Sequence, residues 1–188
     1  MSEYVLSIDQ STQGTKALLF DAEGLLICRA DIPHKQIIDA NGWVEHDPKE
    51  IYANTLQVVK DVTAKAGIDK ADIKALGISN QRETSVCWDK FTGEPVYNAI
   101  VWQCARAASI CEELKDSAEM VYSKTGLKLS PYFPAAKLAW IFRNVDAAKS
   151  GNIAVGTIDS WLVYKLTGGS RHQTDYSNAS RTQLFNIK

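Results

Sequence analysis

The sequence lacks the features that would place it in several common classes of protein. Its 188 residues carry 21 basic and 22 acidic side chains and no long run of like charge, which argues against a nucleic-acid partner or a membrane surface. No apolar run approaches the roughly 20 residues that span a bilayer, and no basic segment precedes an apolar stretch at the amino terminus. We therefore expect a cytoplasmic protein with no nucleic-acid or membrane partner.

Cysteine and histidine are too sparse for a metal centre built from these residues. The four cysteines include no Cys-x-x-Cys pair, and the three histidines are scattered. Reduced thiols buried as small hydrophobic groups are the favoured interpretation. A P-loop is also missing, because no Gly-x-x-x-x-Gly-Lys-Ser/Thr motif follows the first predicted strand.

The hydrophobic pattern predicts an α/β chain with a mixed sheet. Three strands come in succession, then a helix with strong capping residues, and then a fourth strand that returns beside the first by a crossover. With 45% hydrophobic residues and no visible linker, the chain is most simply one domain. The predicted strands are residues 5–8, 16–20, 25–32, 75–78 and 153–155, with a hairpin around 91–94. The predicted helices are residues 48–66, with Asp47 as the capping residue, 105–114, 134–142 and 158–166.

The most informative segment sets an arginine, a carboxylate and a tryptophan close after a predicted buried strand. Arg82 and Glu83 follow the fourth strand, and Trp102 comes soon after. A guanidinium can donate to neighbouring hydroxyls, a carboxylate can accept from them, and an indole can cover a carbon backbone. The trio suits a small polyhydroxylated ligand. Adjacent residues of an extended strand point to opposite faces, however, so a solvated ion pair between Arg82 and Glu83 is the alternative.

A second polar segment follows the first predicted strand. Asp9 is followed by Ser11, Thr12, Gly14 and Thr15, so hydroxyls and exposed amides can gather around an anionic oxygen while Asp9 holds a hydrated cation. Mg²⁺ prefers one or two carboxylates together with waters and phosphate oxygens. From the pattern alone, Asp9 and Thr12 could equally be residues that cap a turn.

Taken together, six segments of this chain resemble glycerol kinases, which belong to the sugar kinase family with an actin-like ATPase fold. The resemblance implies an α/β fold of the actin-like (ribonuclease H-like) type, with a mixed five-stranded sheet flanked by helices. It also implies ATP-dependent phosphorylation of glycerol to sn-glycerol 3-phosphate. The segments are residues 9–12, 42–48, 80–84, 97–104, 131–133 and 174–182.

The resemblance assigns roles to individual residues. Arg82 and Glu83 would hold the glycerol hydroxyls, Trp102 would pack on the carbon face of glycerol, and Tyr132 would add a hydroxyl contact. Asp9 would serve the Mg²⁺ ion, and the implied phosphate contacts are Thr12, Gln13, Gly14 and Lys16.

Three positions depart from the family pattern. Lys16 replaces an arginine and loses the guanidinium fork. Ser11 replaces a glycine in the turn, and Ala105 stands where glycerol kinases often have another arginine.

Part of the catalytic set is expected elsewhere. In the family the base is an aspartate of a Gly-Asp-Gln-type motif, and this sequence contains no Gly-Asp-Gln. The resemblance therefore implies that the chain is the amino-terminal, substrate-binding domain of a glycerol kinase. ATP would bind through a carboxy-terminal domain that this chain lacks, the chain alone would turn over essentially nothing, and a homo-oligomer stays open for the intact enzyme.

Two other functions remain alternatives: a kinase of another short polyol or ketose, and a non-catalytic actin-like binding module. Within the family-like segments, we interpret His46, Asp159 and Asp175 as structural rather than catalytic. We expect four of the tryptophans to be core or rim residues, namely Trp43, Trp88, Trp140 and Trp161.

Overall fold

The structure is a computed structural model that describes residues 3–149 and 151–188. Its strands and helices follow an α/β order, and short 3-10 helices at Lys70–Asp72, Lys115–Ser117 and Asp146–Lys149 join some of them. The strands are β1 Tyr4–Gln10, β2 Gly14–Phe20, β3 Leu26–Pro33, β4 Ile37–Ile38, β5 Val44–His46, β6 Ile73–Asn80, β7 Ser85–Asp89, β8 Ala99–Ile100 and β9 Ile153–Thr157. The helices are α1 Pro48–Ala66, α2 Ala108–Glu113, α3 Ala118–Thr125, α4 Pro134–Asn144, α5 Ile158–Leu166 and α6 Tyr176–Ala179.

The chain divides into two compact units. The first unit contains the described residues up to Lys35 together with Lys49–Gln81, and the second contains Gln36–Pro48 and Arg82–Lys188. The chain passes between the units without a change in composition, which is why no linker is visible in the sequence.

The first unit is built on a mixed sheet with the strand order β3-β2-β1-β6. Strands β1, β2 and β3 form an antiparallel meander, and β6 lies parallel to β1. This is the predicted meander followed by a crossover. Because β1 and β6 run parallel, Gln10 and Asn80 pair at their carboxyl ends. The polar residues that follow both strands therefore meet at one edge of the sheet.

Helix α1 covers one face of this sheet. Val58 and Val62 of the helix are fully buried against Leu6 and Ile8 of β1. The helix ends at Ala66, as predicted, and Gly67 after it has the left-handed conformation with φ 65° that glycine adopts without strain.

The second unit contains an antiparallel sheet with the strand order β4-β5-β8-β7-β9. Here the prediction of one five-stranded mixed sheet needs correction: the mixed sheet has four strands among the described residues. The expected fifth strand, β9, pairs instead with β7 over five positions, from Ser85 with Thr157 to Asp89 with Ile153. A short apolar run specifies a buried strand but not its partner, so its sheet could not be read from the pattern.

The core of the second unit lies between this sheet and helix α4. Cys87, Ile100 and Ile141 are fully buried there. Trp88 and Trp161 are also fully buried and pack edge to face at 5.5 Å, as expected of core tryptophans. This core supports the loops that carry Glu83, Trp102 and Tyr132.

Candidate functional site

In the first unit, the turn between β1 and β2 carries the expected phosphate and metal residues. Asp9 and Lys16 face each other in register across the two strands. The Lys16 Nζ lies 3.1 Å from the Asp9 Oδ2, and the side chains are 39% and 41% exposed for Asp9 and Lys16 respectively. The Asp9 carboxylate and the Lys16 ammonium therefore lie next to each other at the base of the turn, and both are accessible to solvent.

The backbone of this turn is fixed by donors from neighbouring segments. Gln81, just past β6, donates from its backbone N to the Gln10 carbonyl at 2.6 Å and from its Nε2 to the Ser11 carbonyl at 3.3 Å. A ring nitrogen of His34 lies 2.9 Å from the Thr12 carbonyl, and the His34 backbone N donates to the Gln13 carbonyl at 3.3 Å. Protein donors within the first unit therefore occupy the carbonyls of Gln10, Ser11, Thr12 and Gln13.

Gly14 has a packing reason to be glycine. A Cβ at this position would lie 2.6 Å from the carbonyl oxygen of Ile32 in β3. Gly14 is buried, while Gln13 beside it is exposed. The close approach of β2 and β3 therefore explains why this position is glycine, and a phosphate contact through Gly14 stays a prediction.

The residues around the turn fit a magnesium ion that is shared with phosphate oxygens. Among the described residues no group of three or more histidine, cysteine, aspartate or glutamate side chains could hold a metal ion. Mg²⁺ with a nucleotide needs only one or two carboxylates, the remaining ligands being water and phosphate. Asp9 supplies one such carboxylate. It is partly exposed, and the ammonium of Lys16 beside it has the charge to bind phosphate oxygens.

In the second unit, Glu83 occupies a strained turn directly before β7. Its φ is 63°, in the left-handed region that non-glycine residues seldom adopt. Adjacent residues of an extended strand would point to opposite faces, but Arg82 and Glu83 lie in a turn and are not bound by that alternation. Glu83 is 3% exposed, whereas Arg82 is exposed and has no hydrogen bond or ion pair with the residues that the structure describes. The alternative of an ion pair between Arg82 and Glu83 is therefore wrong for this structure.

The partner of Glu83 is Arg181, which the sequence interpretation missed. The Arg181 Nε donates to the Glu83 Oε1 at 2.5 Å, and this bond raises the pKa of Arg181 above its ordinary value. Residues 174–182 were recognised as a family-like segment, but nothing local tied its arginine to a carboxylate 98 positions earlier. The pairing fixes one oxygen of the Glu83 carboxylate and leaves the other available to accept hydrogen bonds.

Two aromatic rings complete this group in the second unit. The rings of Trp102 and Tyr132 lie 5.6 Å apart at an angle of 58°, and the Arg181 guanidinium lies 5.8 Å from the Tyr132 ring centre. The Trp102 backbone N donates to the Thr84 hydroxyl at 3.2 Å, which ties the tryptophan loop to the turn that holds Glu83. The structure thus brings the neighbourhoods of Glu83, Trp102 and Tyr132 together.

A buried arginine anchors the loop that carries Trp102. The Arg106 guanidinium lies 4.6 Å from the Trp43 ring centre and 4.9 Å from that of Trp140, and its Nη1 donates to the Glu45 Oε1 at 2.5 Å. Burial lowers the pKa of Arg106, but hydrogen bonds to Cys104 and Glu45 outweigh burial and raise it. Trp43 and Trp140 are therefore structural partners of a cation.

The neighbouring position Ala105 is exposed. The arginine that this chain retains therefore points inward, and the departure from the family pattern at Ala105 affects the surface.

The three polar residues that we interpreted as structural all have structural contacts. His46 is fully buried within β5. Asp159 accepts hydrogen bonds from the hydroxyls of Thr157 at 2.5 Å and Thr174 at 2.6 Å. Asp175 caps helix α6 by accepting from the Asn178 backbone N at 2.7 Å. That none of the three has a catalytic role stays a prediction.

The four cysteines are free thiols, as predicted, but only Cys87 and Cys104 are buried, while Cys28 and Cys111 are half-buried. Burial raises the pKa of Cys87 to about 12, so this thiol is not a nucleophile near neutral pH. Within the described part of the chain, no helix is long and apolar enough to cross a bilayer.

This fold is that of the amino-terminal domain of carbohydrate kinases. Residues 4–188 match the family model described as the FGGY family of carbohydrate kinases, N-terminal domain, and the chain belongs to that family. Over 190 residues it is 54% identical to glycerol kinase 1 of Thermotoga maritima, a match that covers 98% of this chain and 39% of the relative. The chain thus spans about two fifths of the length of the curated relatives it matches.

Solved structures give the same result. A glycerol kinase of Plasmodium falciparum with ADP matches with a TM-score of 0.90 and 36% identity, covering 99% of this chain and 38% of that one. A gluconate kinase of Lactobacillus acidophilus matches with a TM-score of 0.88 and 28% identity, over 100% and 37% of the two chains. The expected fold class, an α/β domain of the actin-like ATPase type, is confirmed by this likeness.

Proposed function

We propose that this chain is the amino-terminal, substrate-binding part of an ATP-dependent glycerol kinase that forms sn-glycerol 3-phosphate. The observation that carries the proposal is the buried Glu83, fixed by Arg181 and lying in the same unit as the paired rings of Trp102 and Tyr132. The identity of 54% to a glycerol kinase supports glycerol as the substrate.

Each residue of this group has a chemical role in holding a short polyol. The Glu83 carboxylate accepts hydrogen bonds from the hydroxyls of glycerol, and the exposed Arg82 guanidinium donates to them. Trp102 covers the carbon face of glycerol and keeps water from it, and Tyr132 adds the phenol as a further hydroxyl contact. A ligand with three adjacent carbons, each with a hydroxyl, would contact all four of these side chains.

The first unit would supply phosphate and metal contacts. Thr12, Gln13, Gly14 and Lys16 would contact the nucleotide phosphates, and Asp9 would hold Mg²⁺ partly through water. The bound ion would neutralise charge on the phosphates during transfer. Lys16 brings a point charge suited to a phosphate oxygen.

The remaining parts of the reaction are proposed for a second, nucleotide-binding domain of the intact kinase. Phosphoryl transfer to an alcohol needs a carboxylate beside the attacking hydroxyl. Glu83 is not suited to that role, because one of its oxygens already accepts a hydrogen bond from Arg181. We therefore expect this chain by itself to bind glycerol weakly and to form no ADP above background. The four free thiols support a reducing compartment such as the cytoplasm.

Saturation-transfer NMR with glycerol, erythritol and xylulose tests the substrate. We expect transfer to glycerol from the chain, and its loss in Arg82→Ala. Arg171→Ala is the matched control, because Arg171 is another exposed arginine of the second unit; this variant should keep the signal.

Two results would contradict the proposal. Transfer to erythritol or xylulose without glycerol would replace glycerol with another polyol and keep the kinase class. No transfer to any of the three would favour a non-catalytic module and would sink the claim that this chain binds the polyol alone.

A further inference from the structure

Helix α4 contains a fully buried lysine that the proposed reaction does not yet use. Lys137 is 0% exposed and belongs to the largest fully buried side chains of the described residues. No carboxylate in the described part of the chain lies within ion-pair distance of its ammonium. Burying an ammonium without a carboxylate partner is costly, so a position that only fills the core would be better served by methionine or leucine.

The ammonium is used to bind two consecutive carbonyls of the loop before α4. The Lys137 Nζ donates to the Pro131 carbonyl at 2.7 Å and to the Tyr132 carbonyl by a short hydrogen bond. The chain turns at these residues, and the Tyr132 backbone N donates to the Ser130 hydroxyl at 3.2 Å. Lys137 therefore provides the interior hydrogen-bond donor for two consecutive carbonyls of a half-buried loop.

We propose that Lys137 is a positioning residue of the polyol site, which fixes the backbone of Tyr132 and thereby sets the Tyr132 ring against Trp102. This inference rests on the proposed function, since Tyr132 and Trp102 are the rings assigned to glycerol. The distance of 5.6 Å between those rings depends on where the loop backbone lies. Lys137 acts on the substrate only through Tyr132.

The charge of Lys137 makes this arrangement sensitive to alkaline pH. Burial lowers the pKa of Lys137 to about 8, opposed by Cys104, Glu83 and Cys111 and reinforced by Arg106. These groups, together with the Tyr132 ring at 5.9 Å, are the charged and titratable groups that face the ammonium. A neutral amine keeps two N–H donors but loses the strengthening that its charge gives to both hydrogen bonds.

We expect deprotonation of Lys137 to loosen the Tyr132 loop without destabilising the folded chain. Because the folded pKa is about 8 and the ordinary value is 10.5, the unfolded chain holds the proton over a range in which the folded chain releases it. This lysine therefore contributes increasing stability as the pH rises through that range. The Tyr132 loop would loosen above about pH 8 while the contribution of Lys137 to the free energy of unfolding rises.

¹⁹F NMR of the chain labelled with 5-fluorotryptophan tests the inference. The five tryptophans give five resonances, and Trp102→Phe identifies the one of interest. We expect Lys137→Met to shift or broaden the Trp102 resonance while those of Trp88 and Trp161 stay in place. Lys124→Met, at an exposed lysine of helix α3, should leave all five unchanged.

Two further measurements separate positioning from a merely structural role. In the unaltered chain the Trp102 resonance should titrate with a midpoint near pH 8, and this titration should be absent in Lys137→Met. The dissociation constant for glycerol should rise about tenfold in Lys137→Met, and less in Lys137→Gln, which keeps an N–H donor for the carbonyls.

The outcomes distinguish this inference from the proposed function. A Trp102 resonance that does not move in Lys137→Met, with the other four in place, would overturn it. Should both Lys137 variants unfold, a Trp102 resonance that is constant from pH 7 to pH 9.5 in the unaltered chain would overturn it as well. If the chain binds no glycerol but the Trp102 resonance responds as expected, the role of Lys137 in placing Tyr132 stands and the glycerol assignment falls.

Discussion

Arg181 donates a hydrogen bond of 2.5 Å to Glu83, and the two residues lie 98 positions apart in the chain. Glu83 is 4% exposed at its side chain and Arg181 is 32% exposed. The pair therefore joins a buried anion to a cation at the edge of solvent, and it holds the strained turn at Glu83 to the segment that follows helix α5.

Removing Arg181 should destabilise the chain. In Arg181→Ala the Glu83 carboxylate stays buried without its donor, and we expect the free energy of unfolding to fall by about 1–3 kcal/mol. Urea unfolding followed by circular dichroism measures this change. Arg143→Ala is the control, because the pair of Arg143 and Glu113 is exposed, at 51% and 55%; it should cost less than about 1 kcal/mol. Equal losses in the two variants would show that the Glu83 pair is an ordinary surface contact.

The loss of folding stability at acid pH should depend on Glu45. Burial alone would raise the pKa of the Glu45 carboxyl, but hydrogen bonds from Asn98, Arg106 and Tyr97 outweigh burial and lower it below its ordinary 4.5. As the pH falls, the unfolded chain takes up the proton first, so the stability from this carboxylate is complete above the unfolded value and is lost as the pH falls through the folded pKa.

Urea unfolding between pH 7 and pH 3 tests this dependence. Glu45→Gln should be less stable than the unaltered chain at pH 7 and should lose less stability on acidification. Glu113→Gln, which alters an exposed carboxylate, should keep the acid dependence of the unaltered chain. A Glu45→Gln variant that loses stability as steeply as the unaltered chain would contradict the assignment.

Gly14 should not tolerate a side chain. The added Cβ of Gly14→Ala would meet the Ile32 carbonyl oxygen at 2.6 Å. Both atoms belong to paired strands and cannot move far, so we expect a loss of about 1–3 kcal/mol. Gly77 of β6 is the matched control within the same sheet, because a Cβ there meets no atom within 4 Å. Thermal unfolding should leave Gly77→Ala unchanged or slightly more stable, and a tolerated Gly14→Ala would refute the close approach.

The metal proposal for Asp9 can be tested without turnover. Mn²⁺ added with ADP should broaden the amide resonances of the turn between β1 and β2, and Asp9→Asn should remove that broadening. The pair of Asp9 and Lys16 is partly exposed, so its loss should change stability by less than about 1 kcal/mol. Asp31→Asn, at an aspartate of β3 that is 53% exposed, should keep the broadening. Equal broadening in Asp9→Asn would remove Asp9 from the metal site.

Local pattern predicted much of this fold. The first three strands, helix α1 and its stop at Gly67 follow from residues that are neighbours in the chain. The partner of β9 was predicted wrongly, because strand pairing depends on which elements meet in space and a short apolar run carries no such information. Helix α3 was missed as well; its residues 118–125 alternate weakly between apolar and polar and lie mostly exposed.

The candidate site was only partly predictable for the same reason. Glu83 and Trp102 were proposed from residue type and from motifs in order. Arg181 and Lys137 were not, although Arg181 lies in the family-like segment 174–182. Arg181 matters because it binds Glu83, and Lys137 because it binds the carbonyl of Tyr132. These contacts depend on which groups are buried together in the fold, and a single sequence does not show that.

The left-handed turn at Glu83 has a consequence for anyone who recombines sugar kinases. A chimaera with a junction anywhere between residues 84 and 180 takes the carboxylate from one parent and the arginine that binds it from the other. Where the second parent lacks that arginine, the hybrid inherits a strained backbone and a buried negative charge together. Segments 80–84 and 174–182 should therefore be taken from the same parent, although they lie far apart in the gene.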